Sequence, residues 1–130
     1  MVIVDSSVWI DSFADRQTPQ VRLLWDLLAE ERVALGDLML CEVLQGARSE
    51  TEFRRIRDRL LALDVLEMVS VPTALAAAQN YRYLRNRGLT VRKMVDCLVA
   101  TFCILHEHSL LHNDRDFDAF QEHLGLRVVR

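Results

Sequence analysis

The sequence predicts an α/β domain, a parallel sheet with helices on both of its faces. Three observations carry this. Short apolar runs alternate with segments whose apolar residues recur at helical spacing, the pattern of strand–helix–strand units. The first run, Val2-Ile3-Val4, is continuously β-branched with no polar alternation, as in a strand buried on both faces. That run ends in Asp5, and a later one, Ser109-Leu110-Leu111-His112, ends in Asn113-Asp114-Arg115-Asp116. Open α/β sheets place their sites at this carboxyl edge.

Taken in order, Asp5 reads two ways: a cap or turn acid after a strand, or a site carboxylate. Ser6 and Ser7 follow it, then the apolar turn Val8-Trp9-Ile10. Thr18-Pro19 starts a helix with an N-cap hydroxyl and a proline at the first helical position, and Val21, Leu24, Trp25 and Leu28 form its stripe. Val33-Ala34-Leu35 is a short strand. Gly36-Asp37 turns into a helix whose apolar stripe is Leu40, Val43, Leu44 and Ala47, with Glu42 on the other side.

Ser49-Glu50-Thr51-Glu52 fits a capping box. The helix it opens buries Phe53, Ile56, Leu60 and Leu61. Its Arg54, Arg55, Arg57 and Arg59 are balanced by Glu50, Glu52 and Asp58, a solvated face. Residues 66–69 read as a strand. Pro72 starts a helix packing through Ala74, Ala77, Ala78, Tyr81 and Leu84, and Gly88 ends it in a left-handed turn. Arg82, Arg85, Arg87, Arg92 and Lys93 follow one another without an acid among them. A helix C-terminus accounts for the first three, but Arg92 and Lys93 lie beyond the turn, so the group is a candidate phosphate-binding patch. Met94–Leu105 is apolar nearly all round and predicts a central helix. Asp96 is its only charge. A buried carboxylate needs a cation, a metal or a strong hydrogen-bond set. Arg92 or Lys93, one turn back, is the structural alternative to a functional site. After the strand ending at His112, a helix turns Phe117, Phe120 and Leu124 inward, and residues 126–129 close the sheet.

Composition bounds the reading. The 130 residues make one domain, 1–130, long enough for a real core. Half the chain is apolar, 51%, with only 4 Gly and 2 Pro, which excludes a disordered tail-like protein. A net charge of −3 excludes a polycation, so nucleic acid would have to meet a local basic patch. Cys41, Cys97 and Cys103 lie in apolar segments without CxxC spacing and read as reduced core thiols of a cytosolic protein. No leader is expected before Val2 and no membrane span within the chain. His106, His108, His112 and His123 lack zinc-binding spacing.

If the strands ending in Asp5 and Asp114 are neighbours, both acids open on one edge, since right-handed crossovers point all strand ends the same way. Asp96 starts the helix feeding the second of those strands, and Glu42 is within reach from its own helix. Two like charges ~4 Å apart repel by about 4 kcal/mol at an effective dielectric near 20. A divalent ion relieves this, and an all-carboxylate set suits Mg²⁺ or Mn²⁺ rather than zinc. Phosphodiester hydrolysis is the natural chemistry of such a site.

Four stretches carry a family resemblance over essentially the whole chain: VIVDSSVWID, LCEVLQG, RNRGLTVRKMVDCLVA and LLHNDRDF. In their order and spacing the chain resembles PIN-domain ribonucleases and, more narrowly, the VapC-like toxins of bacterial toxin–antitoxin pairs. The resemblance implies a twisted parallel sheet in a three-layer α/β/α sandwich. It implies Asp5, Glu42, Asp96 and Asp114 as metal-binding acids and Asp116 as an accessory acid of the same pocket. It raises Glu42 from a surface residue to a site residue. The family often has Thr or Ser two residues before the Asp114 position; here His112 stands there, so pocket ordering falls to Ser6, Ser7 or His112. The implied substrate is RNA, with transfer RNA or a ribosomal RNA loop as the usual target. The implied partners are a second copy in a homodimer and a small VapB-like antitoxin, through which alone DNA would be met. A cytoplasmic location goes with these. Two rivals stand beside this reading. A phospho-acceptor receiver module would need an acid pair after the first strand and a late lysine, whereas the only lysine, Lys93, precedes Asp96. A catalytically inactive PIN-like module that binds RNA or protein would keep the fold without the reaction.

Overall fold

A computed structural model describes residues 1–130. Five strands form one parallel sheet: β1 (Val2–Val4), β2 (Val33–Gly36), β3 (Asp64–Leu66), β4 (Ser109–Leu111) and β5 (Arg127–Val128). Seven helices surround it: α1 (Ser6–Phe13), α2 (Pro19–Ala29), α3 (Asp37–Leu44), α4 (Glu50–Leu60), α5 (Val71–Arg85), α6 (Met94–Leu105) and α7 (Asp118–Leu124). The strand order is β3-β2-β1-β4-β5. From β1 the chain steps outward through β2 to β3, then returns across β1 to β4. Right-handed crossovers in opposite directions put their helices on opposite faces. Accordingly α1 packs on α2 and α3, and α3 on α4, while α5 packs on α6 and α7. This is a three-layer sandwich, and the order reverses between β1 and β4, where open sheets leave a crevice.

β1 is central and fully buried, as its unbroken β-branched run requires. Val4 stands opposite Leu111 in the β1–β4 register, and the Asp5 amide donates to the Leu111 carbonyl at 2.9 Å. The strand ends of β1 and β4 are thereby locked together. Thr18 and Ser49 cap α2 and α4 through their hydroxyls. Gly88 closes the end of α5 at φ 76°, a left-handed backbone that glycine adopts without strain.

Several packing expectations shift. On α2, Leu27 is buried and Trp25 is half exposed. Leu61 lies past the end of α4 and faces solvent. β3 lies earlier than 66–69, at Asp64–Leu66; as an edge strand it is largely exposed and shows little apolar patterning. Only Thr73, Ala77 and Leu84 of α5 are buried. The expected packing residues Ala74, Ala78 and Tyr81 instead face an open groove against α6. Cys41 is exposed, unlike Cys97 and Cys103. The segment Val8-Trp9-Ile10 is helical, within α1. No helix is long and apolar enough to cross a membrane.

Candidate functional site

Asp5 is both a cap and a pocket acid. It is the N-cap of α1, and its Oδ2 accepts from the Ser7 amide at 3.2 Å and from Ser7 Oγ at 2.6 Å. Ser7 Oγ in turn accepts from the Asn113 amide at 3.4 Å, tying the loop after β4 to the start of α1. Asp5 is 4% exposed. Burial raises its pKa, and the two Ser7 hydrogen bonds oppose that rise.

Asp96 sits in the first turn of α6, 5% exposed, and its Oδ2 is buried with no hydrogen-bond partner. No cation pairs with it. The chain's ion pairs are Arg16–Asp11, Arg32–Glu30, Arg54–Glu50, Arg57–Asp58 and His123–Glu122. Burial first, then the charges of Asp5 and Asp114, push Asp96 to about 7, with Lys93 opposing. The pairing with Arg92 or Lys93 therefore gives way to an arrangement of mutually repelling carboxylates.

Asp114 caps the 3₁₀ turn Arg115–Phe117 by accepting from the Asp116 amide at 2.9 Å, and this tight turn swings Asp116 back toward Asp96. Carboxylate oxygens of Asp96, Asp114 and Asp116 all lie within 4.8 Å of one another. Asp5 and Glu42 stand outside that trio but act on it or on each other. Asp5 raises Asp96, and Glu42 is raised by burial and then by Asp5. Glu42 is half-buried and accepts from Ser6 Oγ at 3.2 Å. Its neighbour on the helix surface three residues back is the buried Met39, which turns this part of α3 inward.

His112 accepts the Asp114 amide at Nδ1, 3.1 Å away, leaving the ring proton on Nε2, which is buried without a partner. Burial lowers its pKa, against the pull of Asp5, Asp118 and Asp114. Of the basic group, Lys93 is the residue whose charge acts on the acids, on both Glu42 and Asp96. Three arginines, Arg82 and Arg85 of α5 and Arg87 just past its end, are engaged by side chains of α5. Arg82 donates to Gln79 at 2.9 Å, Arg85 lies over the Tyr81 ring at 5.7 Å, and Arg87 lies over Tyr83 at 3.3 Å. Arg92 lines the groove between α5 and α6.

A hard-oxygen trio with one buried, unpartnered oxygen and no organic cation fits a small divalent ion. The fold and its edge of acids together define an α/β domain with a carboxylate pocket at the sheet's switch point. The PIN domain family model matches residues 2–122. Two curated relatives, the VapC ribonuclease Mb1587 of Mycobacterium bovis and the ribonuclease VapC11 of Mycobacterium tuberculosis, are each 33% identical over 99% of this chain and 98% of the relative. Among solved structures, VapBC2 from Rickettsia felis bound to a promoter DNA fragment matches with a TM-score of 0.78 at 17% identity, covering 99% of this chain and 98% of that one. FitAcB from Neisseria gonorrhoeae matches with a TM-score of 0.78 at 19% identity, covering 100% and 97%. The chain belongs to the PIN-domain family, among the VapC-like proteins.

The pocket at the outer side of β4 was not foreseen. It is lined by Gln20, Asn113 and Arg115 and borders Asp114. Its one visible sequence signal is that Asn113 and Arg115 interleave with the acids Asp114 and Asp116.

Proposed function

We propose that this protein is a Mg²⁺- or Mn²⁺-dependent ribonuclease, the toxin of a toxin–antitoxin pair, hydrolysing phosphodiester bonds of transfer or ribosomal RNA. The observation that carries the reading is the convergence of Asp96, Asp114 and Asp116 around the buried, unpartnered Oδ2 of Asp96. The names of the curated relatives support the substrate class.

Asp96, Asp114 and Asp116 would hold the ion, with Asp5 and Glu42 completing the acidic wall. A bound Mg²⁺ or Mn²⁺ supplies an activated water and offsets charge on the phosphoryl oxygen. Ser7 fixes the Asp5 carboxylate, Ser6 fixes Glu42, and His112 holds the Asp114 backbone through Nδ1. With its pKa pushed up to about 7 by burial and by the neighbouring acids, Asp96 holds a proton far more readily than an ordinary carboxyl in the metal-free chain. Lys93 and Arg92, with Arg82, Arg85 and Arg87 further along the same flank, would receive backbone phosphates. The purified chain should cut RNA in Mg²⁺, stop in excess chelator, and resume when Mg²⁺ or Mn²⁺ is returned. Undiminished cutting in chelator would overturn the mechanism, and no cutting in any ion would leave the inactive binding module. Neutralising Arg92 and Lys93 together should reduce the salt slope of RNA binding by about 2; an unchanged slope would remove them from the RNA surface.

The partners follow from the same reading. A small VapB-like antitoxin would be the partner, as the VapBC complexes among the fold neighbours suggest; its C-terminal segment would lie in the acidic groove and it would carry the DNA-binding domain. A second copy would cover the exposed apolar side of α5 and α6, where Val71, Leu75 and Met94 are 73%, 66% and 76% exposed. The cytoplasm, where RNA targets are met, is the proposed location.

A further inference from the structure

We propose that the cavity at the carboxyl ends of β4 and β5 is a nucleobase subsite, holding the base beside the cleaved phosphodiester and setting the sequence preference. This rests on the ribonuclease reading. The cavity measures 510 Å³, within the range of small-ligand sites. It opens between the loop after β4, the end of β5 and the start of α2. Asp114 belongs both to its wall and to the acidic trio. Neighbouring strands lie about 5 Å apart, so a strand of RNA with its phosphate at the β1–β4 switch point reaches the cavity with the next base.

Its lining suits a flat heterocycle better than a phosphate or a peptide cation. Leu23, Val128 and Val129 offer apolar surface to a ring. The amides of Gln20 and Asn113 each present a donor and an acceptor, the chemistry that reads a base edge. Arg115 adds a planar guanidinium that stacks on a ring face. The formal charges balance, Arg115 and Arg130 against Asp114 and Asp118, so the cavity is no cationic phosphate cradle. Arg130 is moreover engaged by Gln121 Oε1 at 2.9 Å.

The test uses the full chain, isotope-labelled for NMR, titrated in chelator with AMP, CMP, GMP and UMP. One of the four should bind about tenfold more tightly than the others, with its largest shifts at Gln20 and Asn113. In the Gln20→Ala, Asn113→Ala double variant that advantage should vanish. In Mg²⁺, the wild type should cut a random-sequence RNA pool with a base preference beside the cleaved bond, and the double variant should cut with the preference lost by roughly tenfold. Equal binding of the four mononucleotides, shifts away from the cavity, or an unchanged preference in the variant would overturn the subsite. If one mononucleotide binds as expected but the wild type cuts no RNA, the cavity is a base-binding site, and its role beside a cleaved bond falls with the ribonuclease reading.

Discussion

Two regions of this molecule are dense in charge, and they treat it in opposite ways. On α4, charges of both signs mix and pair in the open, Arg54 with Glu50 at 3.6 Å and Arg57 with Asp58 at 2.9 Å, each side chain 40% exposed or more. At the carboxyl edge, five acids of one sign crowd together and none forms an ion pair. There Asp96 is driven to about 7, and Asp5 and Glu42 are raised as well. Charge balanced within the chain serves solvation. Charge left unbalanced and buried has to be balanced by something the chain does not contain. A buried carboxylate oxygen with no partner is costly, and the fold bears that cost at the one edge where its strand order reverses.

The largest expected effect breaks or upholds the functional half of this comparison. Asp96→Asn and Asp114→Asn should each lower RNA cleavage by about 10²-fold or more, the scale of losing one charge-organising group at a reaction centre. Arg54→Ala and Glu50→Ala on α4 should leave the rate within about twofold, because they lie on a solvated helix face. Rates measured with each protein folded by circular dichroism decide it. A comparable loss from the α4 variants would erase the distinction.

The sequence disclosed the acidic edge well because its elements are strongly patterned. The bounds of α6 coincide with the apolar run Met94–Leu105, and Asp96 stands out as the only charge inside it. The β-branched run of β1 and the hydroxyl caps of α2 and α4 are equally local signals. What escaped needs tertiary context. Periodicity leaves Glu42 on the far side of its stripe, and the family resemblance rather than the pattern puts it in the site, where Ser6 Oγ donates to it beside the buried Met39. Ala74, Ala78 and Tyr81 of α5 have the composition of a packing stripe, yet in the single chain they face an open groove. The edge strand β3 pairs with β2 through backbone bonds that leave little trace in its side chains. The cavity beside Asp114 exists only because β5 lies next to β4, a pairing no local pattern announces.

The next effect tests the energetic half. Asp96 moves from an ordinary 3.8 to about 7 on folding. A raised acid contributes stability that is fully present below its unfolded pKa and lost as pH rises through the folded one. The metal-free chain should therefore lose stability from about pH 4 to pH 7. Asp96→Asn should flatten much of that fall; the rest belongs to Asp5 and Glu42, which shift the same way. At pH 8 the variant should be more stable than the parent by about 1–3 kcal/mol, below the ~4 kcal/mol ceiling of three pKa units. Denaturant melts in chelator measure it. A loss of about 3–5 kcal/mol would mean Asp96 is a buried ion-pair partner after all. Added Mg²⁺ should stabilise the parent more than the variant.

The smallest effect is expected on α4, and it sharpens the comparison from the other side. Arg54 and Glu50 are 65% and 70% exposed and four residues apart on one helix face. Such a pair gains little in water because solvent screens it and two long side chains lose freedom to hold it. A double-mutant cycle of Arg54→Ala and Glu50→Ala should give a coupling of about 0.3–0.5 kcal/mol, favourable in sign and gone in 1 M salt, where the screening length is about 3 Å. In the acidic pocket the corresponding cycle, Asp96→Asn with Asp114→Asn in chelator, should show the opposite sign. Each amide there relieves the other carboxylate, so the second substitution gains less than the first. That coupling should also persist further into high salt, because Asp96 is withdrawn from the counterions that screen α4. Two couplings of the same sign, or equal loss in salt, would mean the two regions handle charge alike, and the unbalanced pocket would no longer point to an external ion.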